Sequence, residues 1–329
     1  MKIAIAGAGL AGCTLAERAV AAGHDVTVFE ATDCIGGLCA DGYDDEGCRV
    51  QWFGPHIYHT DNESTHRYLS AFTEWVPYAH EVVAESGGKY VPVPINPVTL
   101  SRLGCDAEEA ARLLYENYSR KMWGRHYDEI AGRVLARVPP RTTNEGHYFP
   151  RQRYQGLPLL GWSAVMERML MGAEVVLNCR MELGMAVAFD LVFWTGRLDW
   201  LFGWDAGVLD FRTMDFRWGH DTFGRGFPVV NYPGPENNAL RVTDNRLLLG
   251  QQFHPLTAIC SEIPRDCAPD GRPTHVVQTE PNMATWRGYL ERATAIGNVV
   301  PVGRFAQMAY LDIADTVTTA LDIAAGFFS

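Results

Sequence analysis

The sequence has no uncharged apolar run long enough to cross a membrane. A bilayer-spanning helix needs about 20 predominantly apolar residues, and the most apolar stretch, residues 185–194, is interrupted by Asp190. The N-terminus leads directly into a strand-like segment, residues 3–6, which is too short and wrongly flanked for a signal peptide. We therefore expect a cytoplasmic protein that makes no membrane contact.

Positive charge is also scarce. The 28 Lys and Arg residues are outnumbered by 39 Asp and Glu residues, so the formal net charge is −11. Nucleic acids and anionic membrane surfaces select basic patches, and we therefore expect no nucleic-acid partner. An anionic small molecule is still compatible with this composition, because a few arginines in a cleft can dominate the local electrostatic field.

The cysteines lack the close pairing of a zinc-binding motif. Eight of them are scattered along the chain, at positions 13, 34, 39, 48, 105, 179, 260 and 267. None of these spacings is typical of a zinc site, and free thiols in a reducing compartment are the simplest interpretation. The sequence therefore predicts no metal.

A dinucleotide-binding signature occupies the first 30 residues. Gly7, Gly9 and Gly12 follow a short strand and precede a helical stretch. The first glycine permits a tight turn, the second lets the backbone approach a pyrophosphate, and the third allows close packing of helix and strand. A second strand ends at Glu30, 18 residues after Gly12, where a carboxylate can accept hydrogen bonds from an adenosine ribose. This order of elements predicts dinucleotide binding.

Two further glycine motifs favour FAD over NAD. Gly36 and Gly37 resemble the double-glycine extension of FAD-dependent oxidases and their relatives. Near the C-terminus, Gly303 and Arg304 follow a strand and precede a helix, which matches the place where such proteins close over the flavin. Because strand, glycine and helix recur at both ends, we expect residues 299–302 to join the N-terminal sheet.

Further segments, taken together, resemble the UDP-galactopyranose mutase family over nearly the whole chain. They are Gly54-Pro55-His56-Ile57-Tyr58-His59-Thr60, Tyr118-Ser119-Arg120-Lys121-Met122-Trp123-Gly124, Arg153-Tyr154-Gln155-Gly156-Leu157-Pro158, Glu167-Arg168-Met169-Leu170, and the stretch from Gly303-Arg304 to Tyr310-Leu311-Asp312. The resemblance implies an α/β fold, in which a Rossmann-like FAD-binding domain carries an inserted helical domain and an antiparallel β-sheet domain.

The resemblance also implies a division of the chain into three domains. The FAD-binding domain is expected to comprise residues 1–65, 166–203 and 285–329, the helical domain residues 98–140, and the antiparallel sheet or substrate domain residues 66–97, 141–165 and 204–284.

The function implied by the resemblance is that of a flavin-dependent isomerase. Its substrate would be UDP-galactopyranose or a related nucleotide sugar, interconverted between pyranose and furanose forms. In this family the reduced flavin attacks the anomeric carbon through N5, a covalent flavin–sugar adduct opens and recloses, and the diphosphate returns without net redox change. The implied partners are the substrate, an external reductant for the flavin and a possible second copy in a homodimer.

The family's catalytic residues correspond to His56, Arg168 and Arg241. His56 is expected to lie against the flavin. The two arginines are expected to bind the diphosphate, because the guanidinium fork can reach two phosphate oxygens at once. Without the resemblance, Arg168 would be an exposed arginine on an amphipathic helix and Arg241 an ordinary strand charge.

The substrate-binding residues implied by the resemblance are Phe149, Tyr154, His275, Tyr310 and Asp312. Tyr154 stands where the family usually has a tryptophan that stacks on uracil, and His275 stands where it has a diphosphate-binding tyrosine. Phe149, or Tyr148 depending on the alignment, stands where the family has another tyrosine. The Tyr310 hydroxyl is expected to reach the diphosphate, whereas Asp312 lines the cleft or caps the following helix. Residues 171–195 are also shorter than the corresponding stretch of the family. Together, these departures suggest that the nucleotide or the sugar of the substrate differs from that of UDP-galactopyranose.

Two alternatives stay open at this point. A flavin amine oxidase-like oxidoreductase would share the fold and both glycine signatures, but it would not need arginines aimed at a diphosphate. A catalytically idle flavoprotein that binds nucleotide sugars would keep the binding residues without the turnover.

Overall fold

A computed structural model describes residues 1–126, 129 and 138–328. The strands, numbered β1 to β17 in chain order, are Lys2–Ala6, Asp25–Phe29, Asp41–Tyr43, Arg49–Gln51, Tyr58–Thr60, Trp75–Pro77, Val82–Ser86, Lys89–Val93, Tyr154–Pro158, Glu174–Val176, Leu191–Trp194, Phe211–Asp221, Val229–Asn231, Arg241–Asp244, Thr257–Asp266, His275–Val276 and Val299–Pro301. The α-helices, α1 to α11, are Leu10–Ala21, Glu63–Ser70, Pro97–Leu103, Ala107–Ala111, Asn117–Trp123, Trp162–Met169, Leu198–Leu201, Asn245–Leu248, Glu280–Ala295, Gly303–Ala306 and Ile313–Phe327.

A parallel five-stranded sheet contains strands from the N-terminal and the C-terminal parts of the chain. Its strand order is β10-β2-β1-β11-β17, and every pairing is parallel. The central strands are continuous apolar runs because helices cover both faces, and Ile3, Ile5 and Phe193 are fully buried. Strand β17 pairs with β11, which confirms that the segment near residue 300 joins the N-terminal sheet.

The larger sheet has seven strands in the order β16-β12-β15-β14-β13-β7-β8. All its pairings are antiparallel except β7 with β13. The edge strand β8 contains Pro92, which is tolerated there because an edge strand can spare the hydrogen bond that proline cannot donate. A parallel nucleotide-binding sheet beside a mostly antiparallel one confirms the predicted fold class.

Helices α3 to α5 pack on the seven-stranded sheet, with α3 against the edge strand β8 and α5 against β15. Asp106 accepts a hydrogen bond from the Glu109 amide at 2.9 Å and caps the N-terminus of α4. Ala110 and Leu114 are buried against Val91 and Ile95. Part of the predicted helical domain, residues 127–128 and 130–137, lies outside the described residues. The three-domain division stays a prediction.

The eight cysteines all lie in described parts of the chain and are free thiols. Among the helices that the structure describes, none is both long and apolar enough to cross a bilayer.

Candidate active site

Two adjoining cavities occupy the region between the two large sheets. The first, which we call the nucleotide-side cavity, lies at the carboxyl ends of the parallel strands and is lined by the glycine-rich turn after β1 and by Glu30 at the end of β2. The second, the sheet-side cavity, is lined by strands of the seven-stranded sheet and by helix α5. Both cavities share the side chains of Leu38, His56, Arg304, Asp312 and Ile313. A ligand in one cavity can therefore touch a ligand in the other.

The glycines of the first turn are packed too tightly to accept side chains. Gly7 has a φ of 109°, which favours glycine. A Cβ atom on Gly12 would lie 2.0 Å from the Gly7 carbonyl oxygen, and one on Gly37 would lie 3.0 Å from the Gly9 Cα. The second glycine pair therefore packs directly on the first turn. Because α1 begins at residue 10, its N-terminal amides face this cavity, where they can bind a phosphate.

Glu30 is buried at the end of β2. One carboxylate oxygen accepts a hydrogen bond from the Ala8 amide at 2.9 Å, and the other accepts from the Thr32 amide at 2.9 Å and the Thr32 hydroxyl at 2.7 Å. An ionised carboxylate offers about four acceptor positions, so Glu30 retains capacity for a ribose hydroxyl. Its placement fits the predicted role.

The C-terminal motif closes over the nucleotide-side cavity. Gly303 has a φ of 87°, and a Cβ there would lie 3.1 Å from the Ala11 Cβ. The Arg304 guanidinium donates through Nε to the Leu311 carbonyl at 3.0 Å and through Nη1 to the Thr274 carbonyl at 3.2 Å. These bonds hold the arginine at the junction of the two cavities.

The His56 backbone is fixed at the same junction. Its amide donates to the Gln51 side-chain carbonyl at 2.7 Å, and its carbonyl accepts from the Trp162 indole at 2.9 Å. The ring Nδ1 lies 2.8 Å from the Gly54 carbonyl oxygen and therefore carries a hydrogen. His56 is thus held by its loop in one orientation.

The electrostatic surroundings of His56 keep it neutral. Burial lowers its pKa to about 4, and the positive charges of Arg304 and Arg241 act in the same direction, against the opposing hydrogen bond to Gly54. The neutral ring donates through Nδ1, so Nε2 carries a lone pair and can only accept.

Arg241 and Glu262 are directly opposite each other on β14 and β15. The guanidinium donates through Nε to one carboxylate oxygen at 2.7 Å and through Nη2 to the other at 2.5 Å. Glu262 is only 1% exposed, so the arginine neutralises a buried charge. Two of the five guanidinium hydrogens are used in this pairing, and three are left to bind another anion.

Four of the five predicted substrate-binding residues line the sheet-side cavity, namely Phe149, His275, Tyr310 and Asp312. The Phe149 ring stacks on His59 with centroids 3.6 Å apart, and Tyr148, the alternative position for the expected tyrosine, lines the same cavity. The Tyr310 ring lies under the Arg304 guanidinium at 5.5 Å. The sequence therefore located the cavity, although the roles of these residues stay predictions.

Asp312 satisfies both interpretations that the sequence allowed. One of its oxygens accepts from the Asp315 amide at 2.9 Å and caps helix α11. Its other oxygen lies 3.9 Å from His59 Nε2, and the side chain lines both cavities.

Arg168 and Tyr154 are not among the residues that line the two cavities. Arg168, in the last turn of α6, donates to the Phe72 carbonyl at 2.7 Å. The Tyr154 ring stacks on His66 with centroids 3.8 Å apart. The substrate roles of both residues therefore stay predictions of the sequence.

The sequence patterns did not indicate several of the lining residues. Glu262 and His80 line the sheet-side cavity, and Arg180 and Arg272 line the nucleotide-side cavity. Arg272 lies 4.4 Å above the Phe53 ring. None of the four belongs to a segment that carried the family resemblance. Glu262 reaches the site on β15, whereas His80, Arg180 and Arg272 reach it from segments that connect strands and helices.

A Rossmann-like sheet with a glycine-lined turn, joined to a second cavity, defines a dinucleotide-binding enzyme. Consistent with this class, residues 5–72 match the model of the NAD(P)-binding Rossmann-like domain. Residues 113–310, more than half of the chain, match the UDP-galactopyranose mutase family model. The chain therefore belongs to the UDP-galactopyranose mutase family and is an isomerase of the mutase type.

Individual relatives agree with this assignment. A probable UDP-galactopyranose mutase from Klebsiella pneumoniae is 27% identical over 365 aligned positions, covering 100% of this chain and 95% of the relative. A dTDP-fucopyranose mutase from Escherichia coli is 24% identical, covering 98% of this chain and 97% of the relative. A crystal structure of reduced UDP-galactopyranose mutase superposes with a TM-score of 0.75 at 13% identity, covering 98% of this chain and 94% of that one. This structural likeness supports the fold.

Proposed function

We propose that the chain binds FAD in the nucleotide-side cavity and, with the flavin reduced, interconverts the pyranose and furanose forms of a nucleotide-diphosphate sugar. The observation that carries this proposal is the meeting of the two cavities at His56, Arg304 and Asp312. A sugar bound in the sheet-side cavity can reach the end of a dinucleotide bound in the other, which the reaction requires.

The residues of the nucleotide-side cavity fit FAD. Gly7, Gly9 and Gly37 leave space where side chains would block a pyrophosphate, and Glu30 retains acceptor capacity for the adenosine ribose. When bound and reduced, the flavin would supply a nucleophilic N5 whose chemistry needs no net redox change.

The sheet-side cavity suits a nucleoside diphosphate. Its strongly charged lining consists of Arg241 and Arg304 with Glu262 and Asp312, so the formal charges balance. A diphosphate would therefore be held by directed hydrogen bonds more than by excess positive charge. Arg241 supplies three such donors and the Tyr310 hydroxyl a fourth.

His56 has a positioning role in this proposal. Its neutral ring adds no charge at the junction, so it does not compete with the arginines for the diphosphate. Since its loop is fastened to Gln51 and Trp162, it would hold the sugar and the flavin ring in contact.

The names of two relatives indicate the class of substrate. The relatives are named for UDP-galactopyranose and dTDP-fucopyranose, which share a pyrimidine nucleoside diphosphate. We propose a substrate of that class. The external reductant, the homodimer and the cytoplasmic location stay predictions of the sequence.

A direct test uses the purified chain with bound FAD. The flavin is reduced with dithionite under anaerobic conditions, the protein is incubated with a panel of nucleotide sugars that begins with UDP-galactopyranose, and the products are separated by chromatography. The proposal predicts a ring isomer of at least one sugar. No isomer from any sugar, together with flavin reduction by an amine or an alcohol, would instead identify an oxidoreductase; binding of a nucleotide sugar without any turnover would identify an idle binding protein.

A further inference from the structure

A cluster of metal-binding side chains lies outside both cavities. Asp44 and Cys48 are at the two ends of the turn between β3 and β4, and His220 is near the end of β12. One ligand atom from each residue lies within 4.8 Å of the other two. None of the three lines either cavity, and no part of the proposed reaction uses them.

We propose that Asp44, Cys48 and His220 bind one zinc ion. A thiolate, an imidazole and a carboxylate are the donors that zinc prefers, whereas calcium and magnesium require mostly oxygen. Zinc bonds of about 2.1 Å place tetrahedral donors about 3.4 Å apart. The cluster therefore has to contract slightly, and the exposed end of the His220 side chain can supply that movement.

The turn already orients its two ligands. The Asp44 Oδ1 atom accepts hydrogen bonds from the Glu46 amide at 3.1 Å and the Cys48 amide at 2.8 Å. The other oxygen, Oδ2, lies 2.9 Å from His220 Nε2. One carboxylate oxygen thus fixes the loop while the second faces the histidine, an arrangement in which outer contacts orient a metal ligand.

The sulfur has its own supporting contacts. Cys48 is buried against Trp52, Trp218 and Ala258, and its Sγ lies 3.5 Å from Nδ1 of His254. The sulfur also lies 3.7 Å from the Leu256 carbonyl oxygen. The rest of its shell is apolar, which limits water access to a metal-bound sulfur. Three protein ligands leave a fourth tetrahedral position for water.

A bound ion would join the β3–β4 hairpin to the seven-stranded sheet. The hairpin ends at Gln51, whose side chain holds the His56 backbone. Zinc would therefore stabilise the hairpin that carries the histidine loop, at a distance from the chemistry itself.

The test uses the full-length, tag-free protein with FAD bound. After treatment with EDTA and removal of the chelator, the protein is incubated with excess zinc chloride, desalted and analysed for zinc. We expect about one equivalent in the wild type. We expect near-complete loss in Cys48→Ala and in His220→Asn, and roughly 10- to 100-fold weaker binding in His254→Ala, which alters an outer contact.

Matched control variants distinguish binding at this site from nonspecific zinc binding. Cys105→Ala and His147→Ala remove a thiol and an imidazole elsewhere and should retain the full equivalent. X-ray absorption at the zinc edge should show one sulfur neighbour near 2.3 Å, and zinc should raise the melting temperature of the wild type but not of His220→Asn. Because His220 is a partly exposed side chain, this variant should fold even where Cys48→Ala does not. No zinc uptake by the wild type, or equal uptake by wild type and His220→Asn, would overturn the proposal.

Discussion

Arg241 and Glu262 face each other across neighbouring strands, and the guanidinium makes two parallel hydrogen bonds to the carboxylate. The pair lines the sheet-side cavity, with Glu262 buried beneath the arginine. A bidentate contact restrains the guanidinium plane as well as its position. The arginine is therefore already oriented when a diphosphate arrives.

The energetic coupling of this pair can be measured with a double-mutant cycle. Arg241→Ala leaves a buried carboxylate without its partner, and Glu262→Ala leaves the arginine unpaired, so each should lower the free energy of unfolding. The double variant should lose less than the sum, with a coupling energy of roughly 1–3 kcal/mol. Urea unfolding of the four proteins provides these values, and additivity within about 0.5 kcal/mol would show that the pair is not a unit.

The two arginines singled out from the sequence should behave differently in turnover. Arg241→Ala should lower kcat/KM roughly 10- to 150-fold, since hydrogen bonds to a charged group contribute about 1.5–3 kcal/mol. Arg168→Ala should leave kcat/KM within about twofold of wild type, because Arg168 donates to the Phe72 carbonyl and lines neither cavity. A large loss of turnover in Arg168→Ala, with unchanged stability, would show that the segment around Arg168 moves to the substrate.

The glycine-rich turn provides a test of the cofactor cavity. A Cβ at residue 12 would lie 2.0 Å from the Gly7 carbonyl oxygen, so Gly12→Ala should displace the turn and yield protein without bound FAD. Gly288→Ala is the matched control: Gly288 is exposed in helix α9, with no atom within 4 Å of its added Cβ. The control should retain FAD and gain up to about 1 kcal/mol of stability. Normal FAD content in Gly12→Ala, read from the visible spectrum, would contradict the assigned geometry.

Two buried histidines have lowered pKa values, so we expect the free energy of unfolding to decrease in mild acid. Burial, with the positive charge of Arg241, lowers the pKa of His80 to about 3, whereas an unfolded histidine has a pKa of about 6.5. Between these values the unfolded chain binds a proton that the folded chain does not, so the free energy of unfolding decreases as pH falls, by about 1.4 kcal/mol per pH unit for each such group. His56 adds to this effect below about pH 6.5.

The measurement compares unfolding free energies at pH 6 and pH 5 in wild type and His80→Gln. The variant should lose about 1.2 kcal/mol less over this interval, because the unfolded histidine is not yet fully protonated at pH 6. Between pH 9 and pH 8 almost no proton is bound to either histidine in either state, so the difference between the two proteins should be constant there. An identical pH dependence of the two proteins in acid would show that His80 is protonated in the folded state.

The nucleotide-side cavity could be predicted because the residues that form it are close together in the sequence. Gly7, Gly9 and Gly12 follow a short apolar strand, and Glu30 ends the next one, so their spacing alone defines the turn and the acceptor. The strand near residue 300 was also predictable, since it repeats the same strand–glycine–helix order.

The rest of the site depends on contacts that local patterns do not encode. Glu262 reaches Arg241 through the register of two strands, and no spacing in the sequence specifies that register. The same holds for the cluster at Cys48, whose histidine lies more than 150 residues away. The segment around Arg168 resembles the family's diphosphate-binding segment, but the Arg168 side chain donates to the Phe72 carbonyl.

The central claim is that the chain isomerises a nucleotide sugar with a reduced flavin that is not consumed. The most direct measurement starts parallel anaerobic reactions from the pyranose and from the furanose form of the same nucleotide sugar, with a limiting amount of dithionite. The account predicts that both reactions reach one common ratio of ring forms, with many turnovers per flavin, and that neither proceeds when the flavin is oxidised. Product formed in proportion to the reductant or oxidant consumed, or isomerisation that is equally fast with oxidised flavin, would contradict it.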